Sequence, residues 1–189
     1  MDKLNILVVV GTARKDSYSE KVAKYIFEEI SKKDGIQVDY LDIKVLDLKI
    51  TDDGSYKVNS EVSKKLRGAD GLLLVVPEYN QGYPGSLKMF LDSYFDEYLH
   101  KAVGLVGVSS GVFGGARAIH SLVPVLRRLG MVALNKDLNV PNVKSFFDEQ
   151  GQVTDKEFLK RLEQFMEFLE FMSRALKEAR KRTPPFKEG

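Results

Sequence analysis

The chain has no cysteine and only two histidines among its 189 residues. The absence of cysteine excludes a disulfide scaffold, thiol redox chemistry, a Cys nucleophile and every zinc or iron–sulfur site that needs thiolates. Any redox activity must therefore run on a bound cofactor. His100 and His120 form no cluster with carboxylates at ligand spacing, so no protein-built metal site is expected. Neither sign of charge dominates. With 29 basic and 27 acidic residues the net charge is +2, which removes the electrostatic case for a dedicated nucleic-acid binder. Long hydrophobic runs are missing as well: the N-terminal run Ile6 to Val10 is too short for a signal-peptide core or a membrane helix. A cytoplasmic protein with no membrane partner is expected.

What is present has ordinary globular proportions, 43% hydrophobic and 30% charged, with no repeat or low-complexity stretch. One domain over residues 1–183 with a short tail at 184–189 is expected. Short β-branched runs alternate with helix-length amphipathic stretches, the pattern of an α/β fold. The strand candidates are Ile6 to Val10, Val38 to Ile43, Leu72 to Val76, Val103 to Val108 and Val132 to Leu134. Several are apolar on both faces, as in a parallel sheet covered by helices on both sides. The helix candidates are Glu20 to Ser31, Glu61 to Leu66, Pro84 to Leu99, Gly115 to Leu129 and Asp155 to Arg182. The third carries a broad stripe of Leu87, Phe90, Leu91, Tyr94, Phe95 and Tyr98, wide enough to suggest a subunit contact beside the core. In the last helix Phe158, Leu162, Phe165, Leu169, Met172 and Leu176 form the core stripe. Phe168 and Phe171 fall off it, which suits a second buried face at a subunit contact, and Pro184-Pro185 should stop the helix.

Ligands of open parallel sheets collect beyond the carboxyl ends of the strands. Three loops therefore carry the functional question. The first, Gly11 to Ser19, ends neither in the Gly-Lys-Ser/Thr of a Walker A loop nor in a dinucleotide fingerprint. It offers hydroxyls, free N–H groups at a helix start and the guanidinium of Arg14, a set suited to a phosphomonoester. Ser17 followed by Glu20 also reads as a capping box that needs no ligand. The second, Pro77 to Gly85, contains two prolines and two glycines, and its constrained backbone suits either a flat heterocycle or a rigid turn. The third, Ser109 to Arg117, holds three glycines that allow close approach to a ligand or tight strand-to-helix packing; Arg117 reads better as an ion pair than as a ligand group.

Taken together, Gly11-Thr12-Ala13-Arg14 with Ser17 and Ser19, Pro77-Glu78-Tyr79-Asn80 with Pro84-Gly85-Ser86-Leu87-Lys88, and Ser109 to Arg117 resemble the NADPH-dependent FMN reductase family. The similarity spans about the first two thirds of the chain. It implies a flavodoxin-like three-layer α/β sandwich on a five-stranded parallel sheet of order 2-1-3-4-5. It also implies FMN as cofactor, NADPH or NADH as hydride donor, and a flavin, quinone, azo or metal-oxyanion acceptor. By the resemblance Thr12, Arg14, Ser17 and Ser19 hold the FMN phosphate, Tyr18 belongs to the same cofactor-binding set, and Pro77, Glu78, Tyr79 and Asn80 face the isoalloxazine. Ser109, Ser110, Gly111 and Gly114 line its other edge. Hydride would pass from nicotinamide C4 to flavin N5 with no catalytic side chain required. A homodimer or homotetramer is the family's usual assembly. Thr12 stands where the family commonly has Ser and keeps the hydroxyl; Met89-Phe90 replaces the common Asn-Ala. The rival reading is a flavodoxin-like electron carrier without NAD(P)H oxidation, against which stand a sequence pI near 8.6 and Arg14 in the phosphate loop.

Overall fold

A computed structural model describes residues 3–48 and 58–183. The chain runs β1 (Leu4–Val10), α1 (Tyr18–Ser31), β2 (Ile36–Asp42), α2 (Ser60–Gly68), β3 (Gly71–Pro77), α3 (Gly85–Asp92), β4 (Ala102–Val108) and α4 (Ala116–Arg128). Two short strands, β5 (Val132–Ala133) and β6 (Leu138–Val140), precede the 25-residue α5 (Phe158–Arg182). All pairings are parallel, in the order β2-β1-β3-β4-β5, with β6 also paired to β4. The expected order 2-1-3-4-5 is present with one difference. In place of a single fifth strand from Val132 to Leu134 there are two pieces: Val132–Ala133 runs beside Ala102 and Val103, and Leu138–Val140 runs beside Val106 to Val108. Residues 134–137 interrupt them.

Because side chains alternate along a strand, each central strand divides its apolar residues between two cores. Ile6, Val8, Val10, Leu73, Val75 and Val106 pack under α1 and α5. Leu7, Val9, Leu72, Leu74, Val76 and Leu105 pack under α2, α3 and α4. β3 and β4 are buried at every residue, which is why they read as uninterrupted apolar runs.

The third helix is much shorter than its periodicity predicts. It ends at Asp92, not Leu99, because local side chains take over the backbone. Ser93 Oγ donates to Met89 O at 2.8 Å, and Glu97 accepts from Phe95 N at 3.3 Å while its other oxygen takes Ser63 Oγ at 2.6 Å and Arg67 at 2.8 Å. The aromatic stripe nevertheless stays inside: Leu87, Phe90, Leu91, Tyr94 and Tyr98 belong to the second core, leaving Phe95 exposed. All of the stripe but Phe95 is therefore filled by the chain's own core. On α5, Phe168 packs against the first core, and Phe171 is 67% exposed on the single chain. β1 and α1 begin within two residues of where the sequence pattern places them. Pro184-Pro185 and the tail lie outside the described residues.

Far from the carboxyl ends of the strands, a polar clamp ties α5 to the sheet. Asp70 accepts from Asn5 N at 2.9 Å and from Lys177 Nζ at 2.8 Å, and Arg180 donates to His100 O at 2.6 Å. Among the described residues no helix is long and apolar enough to cross a membrane.

Candidate functional site

Strands β1, β3 and β4 lie side by side, and the chain leaves β1 for β2 on one side and returns through β3 on the other. That reversal opens a crevice at their carboxyl ends. A cleft of about 430 Å³ sits there, lined by Arg14 to Ser19, Pro77 to Tyr79, Val108 to Ser110, Val143 and Lys144.

The first wall starts at Gly11, whose N–H donates to Val75 O at 2.8 Å. A Cβ at Gly11 would stand 2.9 Å from that same carbonyl oxygen and 3.2 Å from Leu87, so only glycine lets the loop cross the end of β3. Ser17 then caps α1: its Oγ accepts from Glu20 N at 3.1 Å. Only this half of the capping box forms, because the Glu20 carboxylate turns to Lys24 at 2.8 Å and Lys44 at 2.7 Å. Those two ammonium groups hold the Glu20 carboxyl below its ordinary range. The N–H groups of Tyr18 and Ser19 at the start of α1 have no intrahelical acceptor, and both residues line the cleft with Arg14 and Ser17.

The second wall is a tight hairpin turn. Tyr79 N donates to Gly82 O at 2.8 Å and Gly82 N to Tyr79 O at 2.9 Å, with Asn80 (φ 49) and Gln81 (φ 66) both left-handed between them. That is the type I′ geometry, and it falls on Asn80 and Gln81, not on the glycines of the loop. Glu78 is anchored through its N–H to Val108 O at 2.9 Å. Its carboxylate is gripped through Oε1 by both Nε and Nη2 of Arg117, the Nε contact being 2.7 Å, while Oε2 is buried with no hydrogen-bond partner. Arg117 also lies over the Phe113 ring, 5.2 Å from its centroid. Its charge thus goes to an ion pair, as the sequence suggested.

The third wall is a glycine clasp. A Cβ at Gly107 would collide with Gly114 O, and one at Gly115 would collide with Val108 N. Gly114 (φ 57) and Gly115 (φ 84) therefore serve the close packing of loop on strand, and Gly114 O accepts from Asn139 Nδ2 at 3.1 Å. Gly111 differs: a Cβ there would meet no atom within 4 Å, and its backbone is not left-handed.

Nine of the thirteen site residues expected from sequence line the cleft: Arg14, Ser17, Tyr18, Ser19, Pro77, Glu78, Tyr79, Ser109 and Ser110. Four do not. Thr12 is buried behind the wall, Asn80 is exposed at the hairpin tip, Gly111 stands beyond Ser110, and Gly114 packs on β6. Lys15, Asp16, Val108, Val143 and Lys144 also line it, and none of them belongs to the expected set. Val143 and Lys144 arrive through β6, whose turn backs onto the third loop: Val143 N donates to Ser109 O at 3.0 Å and Asn142 N to Gly111 O at 3.2 Å. The alternation Leu138-Asn139-Val140 followed by Pro141-Asn142 was the available signal.

The profile of the NADPH-dependent FMN reductase family matches residues 4–145, which include all three walls. The chain belongs to that family. Its relatives include a 2-hydroxy-1,4-benzoquinone reductase from a Burkholderia species, 31% identical over 172 residues that cover 87% of this chain and 93% of the relative. A quinone reductase of Escherichia coli K12 is 31% identical over 183 residues, covering 92% and 97%. Among solved structures, the flavoenzyme NAD(P)H:(acceptor) oxidoreductase FerB of Paracoccus denitrificans superimposes with a TM-score of 0.71 at 24% identity, covering 93% of this chain and 98% of that one. The FMN reductase family is one of oxidoreductases using FMN and NAD(P)H on a flavodoxin-like fold, and the parallel sheet of this chain is that fold.

The residues of the cleft fit such a cofactor. A phosphomonoester needs concentrated donors, and the start of α1 with Arg14, Ser17 and Ser19 supplies them. A planar ring needs a slot with fixed walls, and two loops tied to the strand ends by backbone hydrogen bonds supply that. The cleft volume lies within the roughly 300–1,000 Å³ of cofactor pockets.

Proposed function

We propose that the protein is an FMN-dependent oxidoreductase that takes reducing equivalents from NADPH or NADH and delivers them to a small acceptor of the quinone class. One observation carries this reading: a single cleft joins an anion-binding helix start to two rigid loops, at the sheet position where such ligands bind. Family membership supports the cofactor, and the names of the benzoquinone and quinone reductases support the acceptor class. Bound flavin supplies the chemistry, accepting hydride from a nicotinamide and releasing electrons to the acceptor.

The chain's own work is binding and orientation. Arg14, Ser17 and Ser19 hold the phosphate, with the first turn of α1 adding N–H donors and a partial positive charge. Pro77, Glu78 and Tyr79 on one side, with Ser109 and Ser110 on the other, set the plane of the ring. The Glu78–Arg117 pair ties the second loop to α4. Among the described residues no cluster of three His, Asp or Glu side chains stands ready to hold a metal, and none enters this scheme. Assembly as a homodimer or homotetramer has its support in Val112 and Phe113, 72% and 60% exposed beside the third wall; light scattering gives the state.

The deciding experiment is a visible spectrum of protein loaded with FMN and freed of excess, followed by anaerobic NADPH. Retained yellow colour that bleaches, and returns on adding a benzoquinone, is the expected result. Colour that NADPH leaves unchanged converts the reading to an electron carrier, and a colourless protein removes the cofactor.

A further inference from the structure

Thr12 and Tyr79 connect the first wall of the cleft to the second. Their hydroxyl oxygens are 3.0 Å apart, and Thr12 Oγ1 also accepts the N–H of Arg14 at 3.2 Å. Thr12 is 1% exposed, whereas Tyr79 lines the cleft. A hydroxyl has one proton to give and two lone pairs to accept with. Were Tyr79 the donor, both lone pairs of Thr12 would be occupied and its own proton would be left buried without an acceptor. Most buried donors are satisfied in folded proteins, which favours the opposite polarity for this pair. Thr12 donates to Tyr79, and the phenolic proton of Tyr79 is the one left over, on a side chain that faces the cleft.

The end of the cleft that receives this proton follows from the partner. Thr12 belongs to the loop that carries Arg14 and leads into Ser17 and the start of α1, so the phenol oxygen stands on the side of the anion-binding loop. The Tyr79 backbone is independently pinned by its paired hydrogen bonds with Gly82. The side chain thus spans from a loop on β3 to the loop on β1.

We propose that Tyr79, oriented by Thr12, donates a hydrogen bond to the phosphate of FMN and is a specificity residue for the phosphorylated flavin, while its backbone serves the ring. This rests on the reading of the cleft as an FMN site and deepens it: a side chain of the ring loop is assigned to the phosphate. The same contact gives the hydroxyl at position 12 a role although that residue is not among those lining the cleft.

The test is flavin affinity measured by fluorescence titration with FMN and with riboflavin, which lacks the phosphate. Tyr79→Phe is expected to weaken FMN by roughly tenfold, the scale of one hydrogen bond to a charged group, and to leave riboflavin unchanged. Thr12→Val should reproduce the loss by releasing the phenol, Thr12→Ser should keep the wild-type ratio, and Thr12→Val combined with Tyr79→Phe should be no worse than Tyr79→Phe alone. A Tyr79→Phe protein that keeps the wild-type ratio of the two affinities, whether both fall or neither does, overturns the proposal. Wild-type protein that binds neither flavin overturns the reading of the cleft and this inference with it.

Discussion

Arg14 makes no side-chain ion pair among the described residues, whereas Arg67, Arg117 and Arg161 each hold a carboxylate, and it lines the anion end of the cleft. A guanidinium left without a carboxylate beside a helix start is placed for an anionic ligand. Arg14→Ala should weaken FMN by about tenfold to a hundredfold, the equivalent of about 1.5 to 3 kcal/mol; a titration giving the wild-type affinity removes the role. Lys101 shows a different residue-scale effect. It is 5% exposed and donates to Leu66 O and to Arg67 O, the latter at 3.1 Å, and burial pushes its ammonium down to about 8. In the unfolded chain the same group titrates near its ordinary 10.5. Between those values the unfolded state holds more protons, so this group raises stability as pH climbs from about 8 toward 10. Urea midpoints at pH 7.5 and 9.5 should therefore shift in favour of the wild type relative to Lys101→Met; parallel shifts would show that Lys101 does not titrate in this range.

Among the elements, the loops show which glycines serve the fold and which are free to serve a ligand. Gly115 combines a left-handed backbone with a Cβ position that collides with Val108 N, so Gly115→Ala should cost several kcal/mol, about 3 or more, read as a lowered thermal midpoint. Gly111 has neither constraint. Gly111→Ala should leave stability unchanged or raise it by about 0.4 to 1 kcal/mol through the unfolded state. If the third loop borders the ring, the same variant will weaken FMN while remaining stable; unaltered affinity would place Gly111 outside the site. The elements also show how far periodicity carries. The stripe from Leu87 to Tyr98 has helical spacing throughout and packs in one core, yet the helix stops at Asp92 because Ser93 and Glu97 bond to nearby backbone. Burial selects the apolar positions, but local polar side chains decide whether the backbone between them is helical.

For the molecule as a whole, the cleft and the polar clamp lie at opposite ends of the sheet. Asp70 gathers Asn5, Lys177 and Arg180, and its side chain is 11% exposed. Asp70→Ala takes the carboxylate from Lys177, Arg180 and the Asn5 N–H while both cations keep backbone carbonyls, and should lower stability by about 1 to 3 kcal/mol. Because the cleft shares no residue with the clamp, the FMN affinity of the folded variant should equal that of the wild type. A matching loss of affinity would show that the sheet transmits strain from one end to the other.

Order of elements, parallel sheet and the three loops were legible in the sequence because each depends on local pattern: doubly apolar runs such as Leu72 to Val76, turn residues such as Pro77 and Gly82, and a helix start at Ser17. The absence of cysteine had already required that any redox chemistry belong to a cofactor. Other features depended on residues distant in the chain. The division of the fifth strand brought Val143 and Lys144 to the cleft, far along the chain from Arg14. The hydroxyl pair of Thr12 and Tyr79 spans 67 positions, and the ion pair of Glu78 and Arg117 spans 39. Local spacing can place a residue on a loop, but the hydrogen bond it makes, and so the direction in which its proton or charge points, exists only once β1, β3 and β4 lie side by side.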